Sequence, residues 1–142
     1  MEFFVKDSLK KPLTDAGLLV MRLWAGIIMF YAHGWGKLTS FSDQIAIRDG
    51  FMGMPGELAA GLLVFSEVFC AILLAMGLAT RAVAVPLFIT MMIAAFVGHG
   101  GDPFRDKELA LFFGTAYFMF MLTGPGKYSL DHLIEKKWKS RS

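Results

Sequence analysis

The chain has 142 residues and a net charge of only +2; 56% of its residues are hydrophobic and 18% charged, with 14 Phe and 10 Met. That length suits one domain, residues 1–142, and is short for two. So oily a balance excludes an ordinary soluble globular protein and reads as a membrane composition.

The N-terminus carries Lys6, Lys10 and Lys11 ahead of a first apolar block, Ala16 to Leu38. A cleaved secretory leader has this flank. The block is longer than a leader's apolar region and others come after it, so it reads as a signal anchor that stays. At about 1.5 Å per residue, a helix over 16–38 comfortably crosses the roughly 30 Å hydrocarbon core.

The connection "TSFSDQIAIRDGFMGMPGE" is the longest in the chain and holds Ile45, Ile47, Phe51, Met52 and Met54 among turn formers. That apolar content predicts a loop lying on the membrane surface or over the mouth of a bundle, with a helical turn near Asp43 to Arg48. A second helix, about 58–78, comes after Pro55 and Glu57, which suit a helix start and the positive end of its dipole. "GLATR" is so tight a turn that the third helix, about 82–99, must run antiparallel to the second, with Pro86 bending it. The fourth, about 107–123, is the shortest in apolar terms and spans only with Glu108 or local thinning of the bilayer.

Gly124, Pro125 and Gly126 stop that helix. Ser129 is an N-cap for a last helix over about 129–138, where Leu130, Leu133, Ile134 and Trp138 share a face flanked by Lys136, Lys137 and Lys139. Such a helix lies flat on an anionic leaflet. The fold class is therefore all-α: a polytopic four-transmembrane-helix bundle with a C-terminal interfacial amphipathic helix. With four crossings, the N-terminus, the Thr80–Arg81 turn and the tail share the side holding most of the basic residues. The positive-inside rule puts both termini in the cytoplasm.

Ionisable groups at membrane depth need partners, at about 2.5–3.5 kcal/mol each on insertion scales. Arg22 and His33 stand eleven residues apart, about three turns, so with Gly26 and Lys37 they form one polar stripe facing the bundle interior. Glu67 lies mid-way along the second helix and must also point inward. An Arg22–Glu67 contact is reachable and not forced. Two readings stand for Glu67: a proton-handling or ligand-polarising carboxylate, or half of a buried ion pair that fixes helix register.

His33, Lys37, Glu57, His99, Asp102 and Glu108 gather at one end. No HxxxH or ExxH spacing sets two metal ligands on one helix, so no metal site is assigned, and haem or metal ranks below a pocket for a quinone ring or small polar head. Interfacial anchoring and capping is the plain alternative. Cys70 reads as a small core residue, and no P-loop, GxGxxG, GxSxG or HExxH motif points to nucleotide or triad chemistry.

In order along the chain, "RLWAGIIMFYAHGWGKL", Glu67, "GLATR", His99 and "GPGKYSLD" resemble the DoxX family of small four-helix membrane proteins. The resemblance marks Arg22, His33, Gly34, Lys37, Glu67, Thr80, Arg81, Gly124, Pro125, Gly126, Tyr128, Ser129 and Asp131. "EVFCA" departs from it, with Phe69 and Cys70 where the family usually has glycine; that puts a close backbone approach there in doubt. The name-giving relatives are similar to the small subunit of a thiosulfate:quinone oxidoreductase, others belong to redox or oxidative-stress complexes, and distant ones assist membrane-protein assembly.

The resemblance and the charges together imply a bacterial inner-membrane subunit binding quinone or a similar ligand among Arg22, His33, Lys37, Glu67 and His99. Glu67 and His33 would be its catalytic groups, and Arg81, Gly124, Pro125, Gly126 and Tyr128 a structural motif. The expected partners are the lipid bilayer, a membrane or membrane-associated redox protein and a second copy of the chain, with no nucleic acid. The alternatives are a non-catalytic anchor or assembly factor and, below it, a small-molecule transporter.

Overall fold

In the computed structural model, which describes residues 7–141, the chain is helix and connection with no strand among the described residues. Lys6, part of the expected basic flank, lies outside them. Helix α1 covers 7–39, α2 Phe41–Arg48, α3 Gly56–Met76, α4 Thr80–Gly98, α5 Phe104–Thr123 and α6 Leu130–Lys139. A single 3-10 turn, Phe51–Gly53, sits between α2 and α3. α1 begins well before the apolar block at Ala16, because apolarity marks where a bilayer would start and not where helical backbone does. Three stretches, Lys11–Thr39, Gly56–Met76 and Thr80–Gly98, are long and apolar enough to cross a membrane. α5 has 20 residues but spends its first turns on Arg105, Asp106, Lys107 and Glu108.

α1 packs on α3, α3 on α4 and α4 on α5. Small residues set the first contact. A Cβ on Gly26 would sit 2.6 Å from the Ala71 carbonyl oxygen, and one on Gly34 2.5 Å from that of Glu67, so the two backbones touch without side chains between them. Close approach of this kind is how helices associate where lipid removes the hydrophobic drive. The close approach at Glu67 that Phe69 and Cys70 put in doubt is thus made from the other side, by Gly34. Phe69 turns outward and Cys70 is buried in the core.

Met29, Leu74, Leu87, Tyr117 and Phe120 fill the middle. The outside carries Trp24, Phe112 and Leu122, each more than 60% exposed. A bundle this apolar on its surface is built for lipid.

Three helices contain a widened, π-type turn: Met29–Gly34 in α1, Phe65–Cys70 in α3 and Ala94–Gly98 at the end of α4. The Trp35 N–H bonds to the Phe30 carbonyl and the His99 N–H to that of Ala94, each five residues back. Such turns are often found at functional sites.

At the opposite end the segment 124–131 is tied into the bundle. Gly124 at φ 76° ends α5. Arg22, 2% exposed, donates from Nη1 to the Pro125 carbonyl at 2.7 Å, from Nη2 to that of Tyr128 at 2.7 Å and from Nε to that of Ala75 at 3.2 Å. Gly77, at φ 71°, leaves room for the guanidinium, since a Cβ there would lie 2.5 Å from Nη1. Asp131 accepts the Ala79 and Thr80 N–H groups at 2.7 and 3.0 Å, capping α4, while its own N–H bonds to Gly77. Arg81 donates to the Leu122 carbonyl, and Asp15 accepts the Lys127 N–H. Ser129 Oγ accepts the His132 N–H and so caps α6.

Candidate functional site

A cavity of about 570 Å³ opens among α3, α4 and the 45–54 segment. Its walls are mostly Ile, Leu, Phe, Met and Ala, with six polar side chains: Lys37, Arg48, Ser66, Glu67, Thr90 and His99. An apolar cleft with a few convergent polar groups is the usual form of a small-molecule site.

Glu67 comes from the widened turn of α3 and is 3% exposed. Lys37, one turn past the widened turn of α1, donates from Nζ to Glu67 Oε2 at 2.6 Å, with a quarter of its side chain exposed. An ion pair shielded this far from water interacts strongly, and taking it out of water is expensive. His99 closes the widened turn of α4 and stands at the rim, its Nδ1 2.8 Å from Asp102 Oδ2. Arg48 reaches in from α2, its guanidinium bonded to the Gln44 side-chain carbonyl. Thr90 returns its hydroxyl to the Pro86 carbonyl at 2.9 Å. The Ser66 hydroxyl, 1% exposed, has no hydrogen-bond partner.

Of the five residues expected to bind a ligand, Lys37, Glu67 and His99 line this cavity and Arg22 and His33 do not. Arg22 is at the tail end, its three hydrogen bonds all to backbone carbonyls. It does not meet Glu67, whose carboxylate is taken by Lys37. His33 is half-buried, with its ring edge-on to Phe113 at 6.2 Å. Arg22 and Lys37 both meet α3, at Ala75 and at Glu67, so they are separate features at different heights of one contact, and the extra residue in the Met29–Gly34 turn sets Gly34 against α3 in place of His33. Glu57 and Glu108 are exposed and outside the walls. Among the described residues no three His, Cys, Asp or Glu side chains gather where they could hold a metal ion.

Ser66, Arg48 and Thr90 are lining residues that the sequence does not single out. Ser66 has one available signal, a hydroxyl beside an intramembrane carboxylate; Arg48 and Thr90 have none. Arg81, Gly124, Pro125, Gly126 and Tyr128 all fall in or against the tied 124–131 segment.

The DoxX family model matches residues 17–100, which hold α3, α4, most of α1 and every lining residue of the cavity. The chain is 31% identical over 134 residues to Inner membrane protein YqjF of Escherichia coli K12, covering 90% of this chain and 99% of that protein. It is 28% identical over 123 residues to Inner membrane protein YphA of the same organism, covering 80% and 87%. With "Putative oxidoreductase CatD" of Bacillus subtilis 168 it shares 30% identity over 135 residues, covering 89% and 92%. No solved structure matches it. The chain belongs to the DoxX family of membrane proteins.

Proposed function

We propose that the chain is a single-domain bacterial inner-membrane protein that binds a quinone, or a molecule with a similar oxygenated ring, in the α3–α4 cavity and works with a partner oxidoreductase. One observation carries this reading: a Lys37–Glu67 ion pair, 2.6 Å long with its carboxylate buried, set into the wall of an otherwise apolar cavity. Charges at membrane depth lean functional. The oxidoreductase name of one relative and the inner-membrane names of two others agree with it.

In this reading α5 is a fourth crossing, α6 rests on the inner leaflet through Lys136, Lys137 and Lys139, and both termini are cytoplasmic. Reduction of a bound quinone takes two electrons, delivered by the partner's redox group, and two protons. The Glu67 carboxylate takes each of the two protons in turn from the water at the His99 rim and passes it to a ring oxygen, returning each time to the ionised form that pairs with Lys37. The Lys37 ammonium offsets the negative charge that builds on the ring before protonation. Arg22 and His33 stand outside the cavity and have no part in the step.

Purification in mild detergent or nanodiscs, with mass spectrometry of bound lipids and proteins, tests the reading. Quinone should co-purify with the wild-type chain and fall at least about tenfold in Glu67→Gln, a loss of about 1.4 kcal/mol. A quinone-free sample that always carries the same membrane protein would overturn it in favour of an anchor or assembly role.

A further inference from the structure

Ser66 is the feature of the cavity that the ion pair leaves unexplained. It is one of two buried side-chain polar atoms among the described residues with no hydrogen-bond partner. A serine or threonine inside a helix ordinarily returns its hydroxyl to the carbonyl four residues back. Thr90, Thr115 and Thr123 do so, to Pro86, Leu111 and Met119. Ser66 does not, although the Leu62 carbonyl is at that position. Leaving a buried hydroxyl unpaired is costly, and native proteins rarely tolerate it without a use.

Its neighbours tell what such a use would be. Ser66 and Glu67 are adjacent in sequence and would diverge by about 100° on a regular helix, yet both line the same cavity from the widened turn Phe65–Cys70. The cavity also has two unlike sides. Toward the loop it is roofed by Phe51 and Met54, in a segment pinned by the Gly56 N–H to Asp49 Oδ1 bond at 3.0 Å and by contact of Gly56 with the Ile45 carbonyl. Toward the helix faces its lining residues are Leu62 and Phe65 of α3 and Ile89 of α4, each about half exposed on the surface that lipid would cover.

Resting on the quinone-site reading, we infer that Ser66 is a third polar contact for the head of the ligand. The ligand is a long-tailed amphiphile of the bilayer, its tail leaving between Leu62, Phe65 and Ile89. The head oxygen takes the Ser66 hydroxyl hydrogen while Lys37 and Glu67 face the rest of the ring. The tail stays in hydrocarbon, so no apolar chain has to pass the roof.

Two variants in nanodiscs test this with a short-chain benzoquinone and a long-chain isoprenoid benzoquinone as probes. Ser66→Ala should weaken both probes by about five- to tenfold, the value of one hydrogen bond, while thermal stability of the ligand-free protein stays level or rises because an unpaired hydroxyl is gone. Ile89→Trp should weaken the long-chain probe by at least about tenfold and the short-chain probe by less than about twofold. Unchanged binding in Ser66→Ala, or a loss of binding that tracks a loss of stability, overturns the role of Ser66. Equal effects of Ile89→Trp on the two probes overturn the lateral exit. If the wild-type chain binds neither probe, the quinone-site reading itself fails; if it binds both and Glu67→Gln abolishes binding while the two new variants do not, only this inference fails.

Discussion

Replacing Arg22 separates a ligand-binding arginine from one that holds the fold. In the structure its guanidinium spends three donors on the carbonyls of Ala75, Pro125 and Tyr128, at 2.7 to 3.2 Å, and is 2% exposed. Hydrogen bonds to a charged group contribute about 1.5–3 kcal/mol each, a gross sum of about 5–9 kcal/mol for three. Burying the charge takes back several kcal/mol of that, so Arg22→Met should cost about 3–5 kcal/mol net. Arg22→Lys should recover only part of it, since an ammonium cannot reach three carbonyls arranged for a planar fork. The assay is unfolding in detergent followed by circular dichroism, paired with limited proteolysis. Because two of the three bonds hold residues 125 and 128, cleavage should appear first between Thr123 and α6, at protease levels that leave the wild-type tail intact. An Arg22→Met protein as stable as wild type with an uncut tail, or one that loses quinone while keeping both, would refute this account.

The other predictions concern the two ends of the bundle. Lys37→Met or Glu67→Leu alone should destabilise by about 3–5 kcal/mol by stranding a charge, while the double variant should return to within about 1 kcal/mol of wild type or exceed it, measured as a double-mutant cycle. Gly34→Ala puts a Cβ 2.5 Å from the Glu67 carbonyl oxygen and should cost about 1–3 kcal/mol while shifting the Lys37–Glu67 contact; an unchanged melting curve would count against the packing of α1 on α3. Asp131→Asn keeps an acceptor for the α4 N-terminus but loses its charge, so its cost should be about 0.3–1 kcal/mol, against about 1–2 for Asp131→Ala. On α6 the Lys139 ammonium hydrogen-bonds Glu135 at 2.5 Å and holds its carboxyl below the usual glutamate range. The pair's contribution is therefore present above that range and lost as pH falls through the lower folded value, and a carboxyl-carbon NMR titration should find Lys139→Met restoring the ordinary value.

The sequence and the structure agree where one physical demand dominates. Apolar blocks, the helix-stopping glycines and the Ser129 cap are legible because lipid and unpaired backbone each leave a residue-type signature. Arg22 is legible as buried but not in its purpose, since its partners are three carbonyls, and a carbonyl belongs to every residue alike. The pairing of Lys37 with Glu67 and the absence of His33 from the cavity are hidden for another reason. A face read at 3.6 residues per turn is displaced by every widened turn, and nothing in Met29–Gly34 announces one. Ser66 is hidden because an unpaired hydroxyl is a property of its surroundings.

The two buried charge clusters differ in what the fold needs from them. At the tail end every donor of Arg22 that bonds, and both oxygens of Asp131, tie separate chain segments together. At the loop end Lys37 and Glu67 join α1 to α3, two helices already held by the contacts of Gly26 and Gly34, so the pair adds little to an interface that packing has set. A bundle selected only for stability would fill that position with leucine and methionine. It instead keeps an ion pair, an unpaired serine and a cavity within one stretch of wall. The widened turns of α3 and α4 carry or adjoin Ser66, Glu67 and His99. Each gives up regular helical bonding at the level where the polar groups converge. Cost concentrated at one place, in a fold secured elsewhere, supports the proposal that the cavity is a binding site.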